Sequence, residues 1–165
     1  LNALYALAGS GAVFEVALLG EHFVSEPPEF EEARERLGSR IVHQGYASSR
    51  EEYARWLWEA DIVVSTALHD FFGAAVVEAI YCDCLPLLPN RLAYPQFIPP
   101  EDRNWCLYDR SRQLIQRLRW AADHVQETRA RSLQHMVAAY DWSQIAPVYD
   151  AVLAELVERP TRVTL

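Results

Sequence analysis

The sequence from position 61 to position 79 reads Asp61-Ile62-Val63-Val64-Ser65-Thr66-Ala67-Leu68-His69-Asp70-Phe71-Phe72-Gly73-Ala74-Ala75-Val76-Val77-Glu78-Ala79. Its first five residues form a short run rich in β-branched side chains, which predicts a buried strand. An aromatic-glycine turn follows, and after Gly73 the apolar residues recur at the spacing of a helix. A strand that passes through such a turn into a helix is the unit from which α/β domains are built.

The rest of the chain repeats this alternation of strands and helices. Further strands are predicted at 14–19, 40–43, 85–88 and 105–108. Helices are predicted at 25–37, after the Ser48-Ser49 capping pattern, twice within 110–139, and at 143–156. We therefore predict an α/β fold with a Rossmann-like parallel sheet and helices on both faces. Pro86 suggests that its strand lies at a strand start or at an irregular edge.

The carboxyl ends of the predicted strands are the places to look for a ligand, because parallel sheets bind ligands beyond those ends. Three ends carry glycine or polar residues, and they are Gly20-Glu21, His43 to Tyr46, and Ser65 to Gly73. We expect these three ends to converge on one crevice.

Composition limits the classes of function. The chain has 165 residues, of which 51% are apolar, so it is long enough for one globular domain with a core. Its formal net charge of −8 argues against a broad nucleic-acid-binding or membrane-binding face. Cys82, Cys84 and Cys106 match no metal-site spacing, and neither a signal peptide nor a bilayer-spanning run is recognised. We expect a cytoplasmic protein without membrane contact, whose thiols are mostly buried.

The beginning of the chain predicts a larger whole. The first nine residues resemble the end of a helix, and no initiator methionine precedes them. We expect residues 1–165 to be a single domain from a longer protein.

The predicted helix after Gly73 has the chemistry of a phosphate site. Glycine lets a ligand approach the backbone, and the N–H groups of Gly73, Ala74 and Ala75 have no partner inside the helix. The helix dipole adds partial positive charge there, so a diphosphate is the expected ligand. Glu78 can accept two hydrogen bonds from a ribose diol, and Asp70 lies on the opposite side, where a sugar would be.

A structural role for the two acids is the alternative. Asp70 could cap the helix, and Glu78 could be a solvated residue on an exposed face. For either acid alone that alternative is favoured, and the strand-turn-helix context of the pair favours a nucleotide-sugar site.

The segment resembles the signature of the retaining GT-B glycosyltransferases of the family-four type, in which an acid and an aromatic-glycine turn precede Glu-Ala. The resemblance to the C-terminal, donor-binding half of such enzymes covers nearly the whole chain. Within the family, five segments are most similar to the tRNA-queuosine mannosyltransferase group and its bacterial relatives. These segments are Leu19-Gly20-Glu21-His22-Phe23, His43-Gln44-Gly45-Tyr46, His69-Asp70-Phe71-Phe72-Gly73, Glu78-Ala79-Ile80-Tyr81-Cys82 and Leu92-Ala93-Tyr94-Pro95.

The resemblance implies a role for each matching residue. Asp70, the implied catalytic residue, contacts hydroxyls of the donor sugar, and Glu78 binds the ribose. The other implied donor-binding residues hold the diphosphate, border the base or line the phosphate side. The diphosphate is held by the amides after Phe72, namely Gly73, Ala74 and Ala75; the base is bordered by Gly45 and Tyr46; Gly20 and Glu21 line the phosphate side. His69 touches donor or acceptor, or else hydrogen-bonds a carbonyl at the strand end.

Two departures from the family pattern affect these roles. The family has Glu where this chain has Asp70, so the sugar lies closer to the backbone or a water bridges the gap. The family's Arg/Lys pair for the diphosphate belongs upstream of the strand that ends at Gly20, and the chain begins after it.

The implied reaction is glycosyl transfer with retention at the anomeric carbon, without a metal or other cofactor. GDP-mannose is the donor that the subgroup implies, and queuosine in tRNA is the acceptor, reached through the N-terminal acceptor domain. The helix at 143–156 is expected to pack toward that domain, and the domain alone is expected to bind donor without catalysing transfer. Two alternatives remain: another GT-B-fold enzyme such as a nucleotide-sugar epimerase, or a non-catalytic nucleotide-binding or scaffold domain.

Overall fold

A computed structural model describes residues 1–20 and 27–158 of the chain. Within these described residues five strands alternate with helices, and every strand pair is parallel. The strands are β1 (Val16–Leu19), β2 (Ile41–Gly45), β3 (Ile62–Val64), β4 (Leu85–Pro89) and β5 (Leu107–Tyr108). The helices are α1 (Asn2–Gly9), α2 (Pro28–Leu37), α3 (Arg50–Glu59), α4 (Ala74–Tyr81), α5 (Tyr94–Phe97), α6 (Arg103–Cys106), α7 (Ser111–Asp123), α8 (Val125–Arg129) and α9 (Trp142–Glu158).

The predicted α/β class with parallel strands and flanking helices is confirmed. The strands hydrogen-bond in two groups, β1 with β2, and β3-β4-β5 in that order. Parallel neighbours need crossover connections, and helices supply the crossovers from β1 to β2 and from β3 to β4. Within each group the carboxyl ends of the strands therefore lie at the same edge.

The strand β4 lies in the centre of its sheet and Pro86 is its second residue, so the expected strand start is confirmed and the alternative of an irregular edge is wrong. All five residues of β4 are buried. Alternate residues of a strand point their N–H groups to opposite neighbours, and Pro86 faces β5, where pairing starts only at Leu88. Pro89 faces β3 beyond the last pair at Leu87. The two missing N–H groups therefore leave no gap in the ladder.

The core surrounds β4, because helices α4 and α7 both pack on this strand. From α4 it receives Val76 and Ile80, and from α7 it receives Leu114 and Leu118. Helix α1 packs against α7 and adds Leu7. The core thus holds α4, and with it the turn at Gly73, in a fixed position relative to β3 and β4.

Several element boundaries differ from the sequence prediction. The first strand begins at Val16 instead of position 14, and residues 105 and 106 belong to helix α6, so β5 is short. The Ser25 cap predicted for α2 lies outside the described residues. The predicted cap of α3 is confirmed at Ser49, whose hydroxyl accepts from the Glu52 N–H at 3.1 Å, while the Glu52 carboxylate accepts from the Ser48 N–H at 2.7 Å.

Helix α9 has no buried residue from Trp142 to Val157. It begins one residue before the predicted start and contains Pro147 in its interior, where proline removes one helical hydrogen bond. Its large apolar side chains are exposed, and they are Trp142, Val148, Tyr149, Val152, Leu153, Leu156 and Val157. None of the helices in the described ranges is long and apolar enough to cross a membrane.

Candidate functional site

The N-terminus of α4 is open to solvent and offers unpaired amides. Gly73 precedes the helix with φ +83°, and its carbonyl accepts from the N–H groups of Val76 and Val77 at 2.9 and 3.0 Å. The amides of Gly73, Ala74 and Ala75 donate to no protein acceptor within the described part of the chain. Gly73 itself is buried, whereas Ala74 and Ala75 are exposed, so a ligand can reach the N–H groups of these two alanines at the positive end of the helix dipole.

Asp70 is half-buried beside this turn and is tied to the protein body. The Tyr94 hydroxyl donates to Asp70 Oδ2 at 2.7 Å, and the same hydroxyl lies 2.8 Å from Ser65 Oγ. A Cβ placed on Gly73 would lie 3.0 Å from Tyr94 Cε1 and 3.5 Å from Asp70 Oδ2. The turn, the carboxylate and the tyrosine ring are therefore packed as one unit, and only glycine fits at the turn.

The aromatic residues of the turn have different surroundings. The Phe72 ring packs edge-on against Phe97 and Tyr140, with ring centroids 5.4 and 5.1 Å apart. His69 is exposed, and Phe71 is fully exposed at the tip of the turn. The side chain of Phe72 thus anchors the turn, while its backbone leads into the open amides.

Glu78 is exposed, and it is tied to the neighbouring helix. The Tyr53 hydroxyl, on α3, donates to Glu78 Oε2 at 2.9 Å. Burial and this hydrogen bond raise the pKa of Tyr53 well above its usual value, so the phenol keeps its proton at neutral pH. This hydrogen bond holds one carboxylate oxygen of Glu78 in place. The description of Glu78 as a freely solvated side chain on an exposed face is therefore incomplete.

The ends of β1 and β2 bring Gly20 and Gly45 together. The Gly20 N–H donates to the Gly45 carbonyl at 3.1 Å, and His43 Nε2 donates to the same carbonyl at 3.3 Å. Gly45 has φ +122°, and the next residue, Tyr46, is 67% exposed. Glu21 lies outside the described residues. The bond between Tyr53 and Glu78 links α3, the helix after β2, to α4, the helix after β3. Asp70 and Gly73 lie just before α4.

Known proteins are similar to this chain in sequence and in fold. No protein-family model matches the chain. Over 105 residues, or 64% of the chain, it is 45% identical to the tRNA-queuosine alpha-mannosyltransferase of Drosophila melanogaster. Over 156 residues, or 94% of the chain, it is 24% identical to a GDP-mannose-dependent alpha-(1-6)-phosphatidylinositol dimannoside mannosyltransferase of Mycobacterium tuberculosis.

The fold is similar to that of HepE from Anabaena, which was solved in complex with UDP and glucose. The TM-score is 0.68 at 15% identity, and the match covers 94% of this chain and 44% of that one. The chain is therefore similar in sequence to two mannosyltransferases and in fold to HepE. It spans 26% and 40% of the lengths of the two mannosyltransferases.

Sequence reasoning missed three residues that hold the candidate site in place. Tyr94 was recognised only as part of the segment Leu92-Ala93-Tyr94-Pro95, and Tyr53 was not singled out. The third is Arg91, whose Nε and Nη2 donate to the Ala67 carbonyl at 3.1 and 2.9 Å and so brace the loop before the turn. The available signal was position, since Arg91 and Tyr94 follow the end of a central strand.

The two buried thiols are not part of the candidate site. Cys84 and Cys106 are buried, and burial raises the pKa of each to about 12, so both are protonated thiols. Across residues 1–20 and 27–158, no group of three His, Cys, Asp or Glu side chains is arranged to hold a metal ion. Two open depressions, of about 370 and 410 Å³, lie at 48–55 and 34–44, away from the turn residues.

Proposed function

We propose that this chain is the donor-binding domain of a retaining glycosyltransferase and binds a nucleotide sugar at the N-terminus of α4. The observation that carries the proposal is the pair of unpaired amides at the exposed residues Ala74 and Ala75, directly after the buried Gly73 and between Asp70 and Glu78. A diphosphate supplies the negative charge and acceptor oxygens that these N–H groups need. The similarity to the fold of HepE, which was solved with UDP and glucose, supports a ligand of this class.

Each side chain then has a defined task. Glu78 accepts hydrogen bonds from the ribose diol with the oxygen that Tyr53 does not occupy. Asp70 accepts from a hydroxyl of the transferred sugar. As the bond from the sugar to the diphosphate breaks, the amides and the helix dipole stabilise the charge that develops on the leaving diphosphate. No metal ion is required for this stabilisation.

The finer proposal concerns donor and acceptor. GDP-mannose is the proposed donor, because one relative is a GDP-mannose-dependent mannosyltransferase and another a tRNA-queuosine mannosyltransferase. Queuosine in tRNA is the proposed acceptor, bound through an N-terminal domain of the longer protein. A tRNA acceptor is in keeping with a cytoplasmic location, which stays a prediction.

Calorimetric titration of the chain and of the full-length natural protein with GDP, UDP and ADP tests the proposal. We expect one diphosphate to bind and Glu78→Ala to weaken it about tenfold or more, because hydrogen bonds to a charged group contribute about 1.5–3 kcal/mol. Glu127→Ala is the matched control, since Glu127 is an exposed acid on α8. This helix lies at the amino end of β3, opposite the candidate site, where its Arg129 side chain binds Asp61.

The outcomes separate the functions. Binding of GDP in preference to UDP and ADP supports the mannosyltransferase proposal. Preference for UDP or ADP contradicts GDP-mannose as the donor and still supports the binding of a nucleotide sugar. If neither protein binds any of the three, the donor-binding proposal is wrong and a scaffold role is favoured.

A further inference from the structure

The Tyr94 hydroxyl lies between two polar groups at the bottom of the site. It is 2.7 Å from Asp70 Oδ2 and 2.8 Å from Ser65 Oγ, and the residue is 1% exposed. Its ring packs against Phe97, with centroids 6.3 Å apart. A side chain held on all sides in this way has one orientation, so its hydroxyl presents a fixed hydrogen bond to Asp70.

The direction of each hydrogen bond follows from proton counting. An ionised carboxylate only accepts, and a phenol has a single proton, so Tyr94 donates to Asp70. The Ser65 hydroxyl then donates to the Tyr94 oxygen, and Ser65 Oγ accepts from the Ala67 N–H at 3.2 Å. Burial raises the pKa of Tyr94, so the phenol proton is retained at neutral pH. The chain of bonds runs from a backbone amide to one oxygen of Asp70.

We propose that Tyr94 is a positioning residue for Asp70, which fixes Oδ2 so that Oδ1 faces the donor sugar. This inference rests on the proposed function, because it assigns the sugar contact to Oδ1. A carboxylate whose rotamer is fixed before binding loses less conformational entropy when the sugar arrives, and it favours one hydroxyl position over others.

Asp70 keeps its carboxylate within hydrogen-bonding reach of the phenol of Tyr94, the first residue of α5. A Cβ on Gly73 would lie 3.0 Å from Tyr94 Cε1, so the glycine of the turn leaves the space that the ring needs beside Asp70.

A purely structural role is the competing explanation, since a buried tyrosine needs a partner for its hydroxyl. The chain contains a matched control for this explanation. Tyr108 is also buried, and its hydroxyl donates to the Ser65 carbonyl at 2.6 Å without touching Asp70. Tyr94→Phe and Tyr108→Phe each remove one buried phenol oxygen, and only the first releases the carboxylate.

The decisive experiment compares the affinities of the full-length protein for a nucleoside diphosphate and for the corresponding nucleotide sugar, with GDP and GDP-mannose as probes. We expect Tyr94→Phe to weaken nucleotide-sugar binding and lower kcat/KM about threefold to tenfold, the range of one hydrogen bond, with diphosphate affinity unchanged. Tyr108→Phe is expected to alter neither affinity.

A second measurement requires no ligand. The urea midpoints of Tyr94→Phe, Asp70→Ala and the double variant are compared, and we expect the double variant to shift less than the sum of the single shifts. Additive shifts overturn the positioning role, and so does an unchanged ratio of the GDP and GDP-mannose affinities in Tyr94→Phe. In either case, diphosphate binding by the parent protein still supports the proposed function. If the parent protein binds no nucleotide, both the positioning role and the proposed function are overturned.

Discussion

Gly73 meets two separate demands at the same position. Its φ of +83° lies in the left-handed region, which costs a residue with a Cβ about 1–2 kcal/mol. The space that a Cβ needs is occupied by the ring of Tyr94, at 3.0 Å. The glycine is thus required by the backbone of the turn and by the side chain that reaches Asp70.

Gly73→Ala should therefore lower the free energy of unfolding by about 1–3 kcal/mol, as measured by urea denaturation, because strain and crowding add. Gly9→Ala is the matched control. Gly9 ends helix α1 with open space around its α carbon, so alanine there is expected to be neutral or to stabilise by up to about 1 kcal/mol. Equal effects of the two substitutions would contradict the packing described for the turn.

Helix α4 connects the elements of the site through its side chains. Glu78 receives a hydrogen bond from Tyr53 on α3, and on the same helix the Tyr81 hydroxyl donates to Asp141 Oδ2 at 2.8 Å. Asp141 immediately precedes α9, and its Oδ1 accepts from the Ser143 hydroxyl at 2.6 Å and the Ser143 N–H at 2.8 Å. One carboxylate thus caps α9 and ties its start to the helix that carries the candidate site.

The cap at Asp141 should make the start of α9 sensitive to acid. Hydrogen bonds from the Ser143 hydroxyl, Tyr81 and the Ser143 N–H lower the pKa of Asp141 below its ordinary value of 3.8. A lowered folded-state pKa means that the stabilisation is complete above the ordinary value and is lost as pH falls through the lowered one. Between pH 5 and pH 2, circular dichroism should show less acid-induced loss of helix in Asp141→Asn than in the parent chain. An identical loss in both proteins would rule out the cap as the cause.

At the scale of the whole molecule, the apolar surface is divided unevenly. The core around β4 is buried, whereas α9 exposes a series of large apolar side chains along its length. Contiguous exposed apolar surface of this kind marks an interaction site. The expectation that α9 packs against an N-terminal domain of the longer protein remains a prediction. The same exposed side chains are expected to promote self-association of the isolated chain.

Leu153→Glu should leave the free energy of unfolding of the chain within about 0.5 kcal/mol of the parent value, because the side chain is 57% exposed. It should also reduce concentration-dependent self-association in sedimentation velocity, since it places a charge in the apolar surface. Leu118→Ala, in the core, is the contrasting variant and should cost about 2–5 kcal/mol. A destabilisation by Leu153→Glu comparable to that of Leu118→Ala would mean that α9 packs on the body of the domain.

Local patterns were sufficient to predict much of this protein. The alternation of short apolar runs with helical periodicity predicted the parallel α/β class, and the cap at Ser49 and the turn at Gly73 followed from residue type and spacing. These features depend on interactions between residues only a few positions apart, such as backbone preferences and the first turn of a helix. The same reasoning left two alternatives open at Pro86, a strand start and an irregular edge, because the sequence around it does not reveal where the neighbouring strand begins.

The arrangement of the site was decided by tertiary structure. Tyr94 and Asp70 are 24 positions apart, and Tyr53 and Glu78 are 25 apart, so no local periodicity brings them together. Those pairs form because parallel strands place successive loops at one edge of a sheet and the core around β4 holds the helices there. The sequence therefore sufficed to single out Asp70 and Glu78 around the turn, whereas the folded chain alone determined which phenols hold those carboxylates in place.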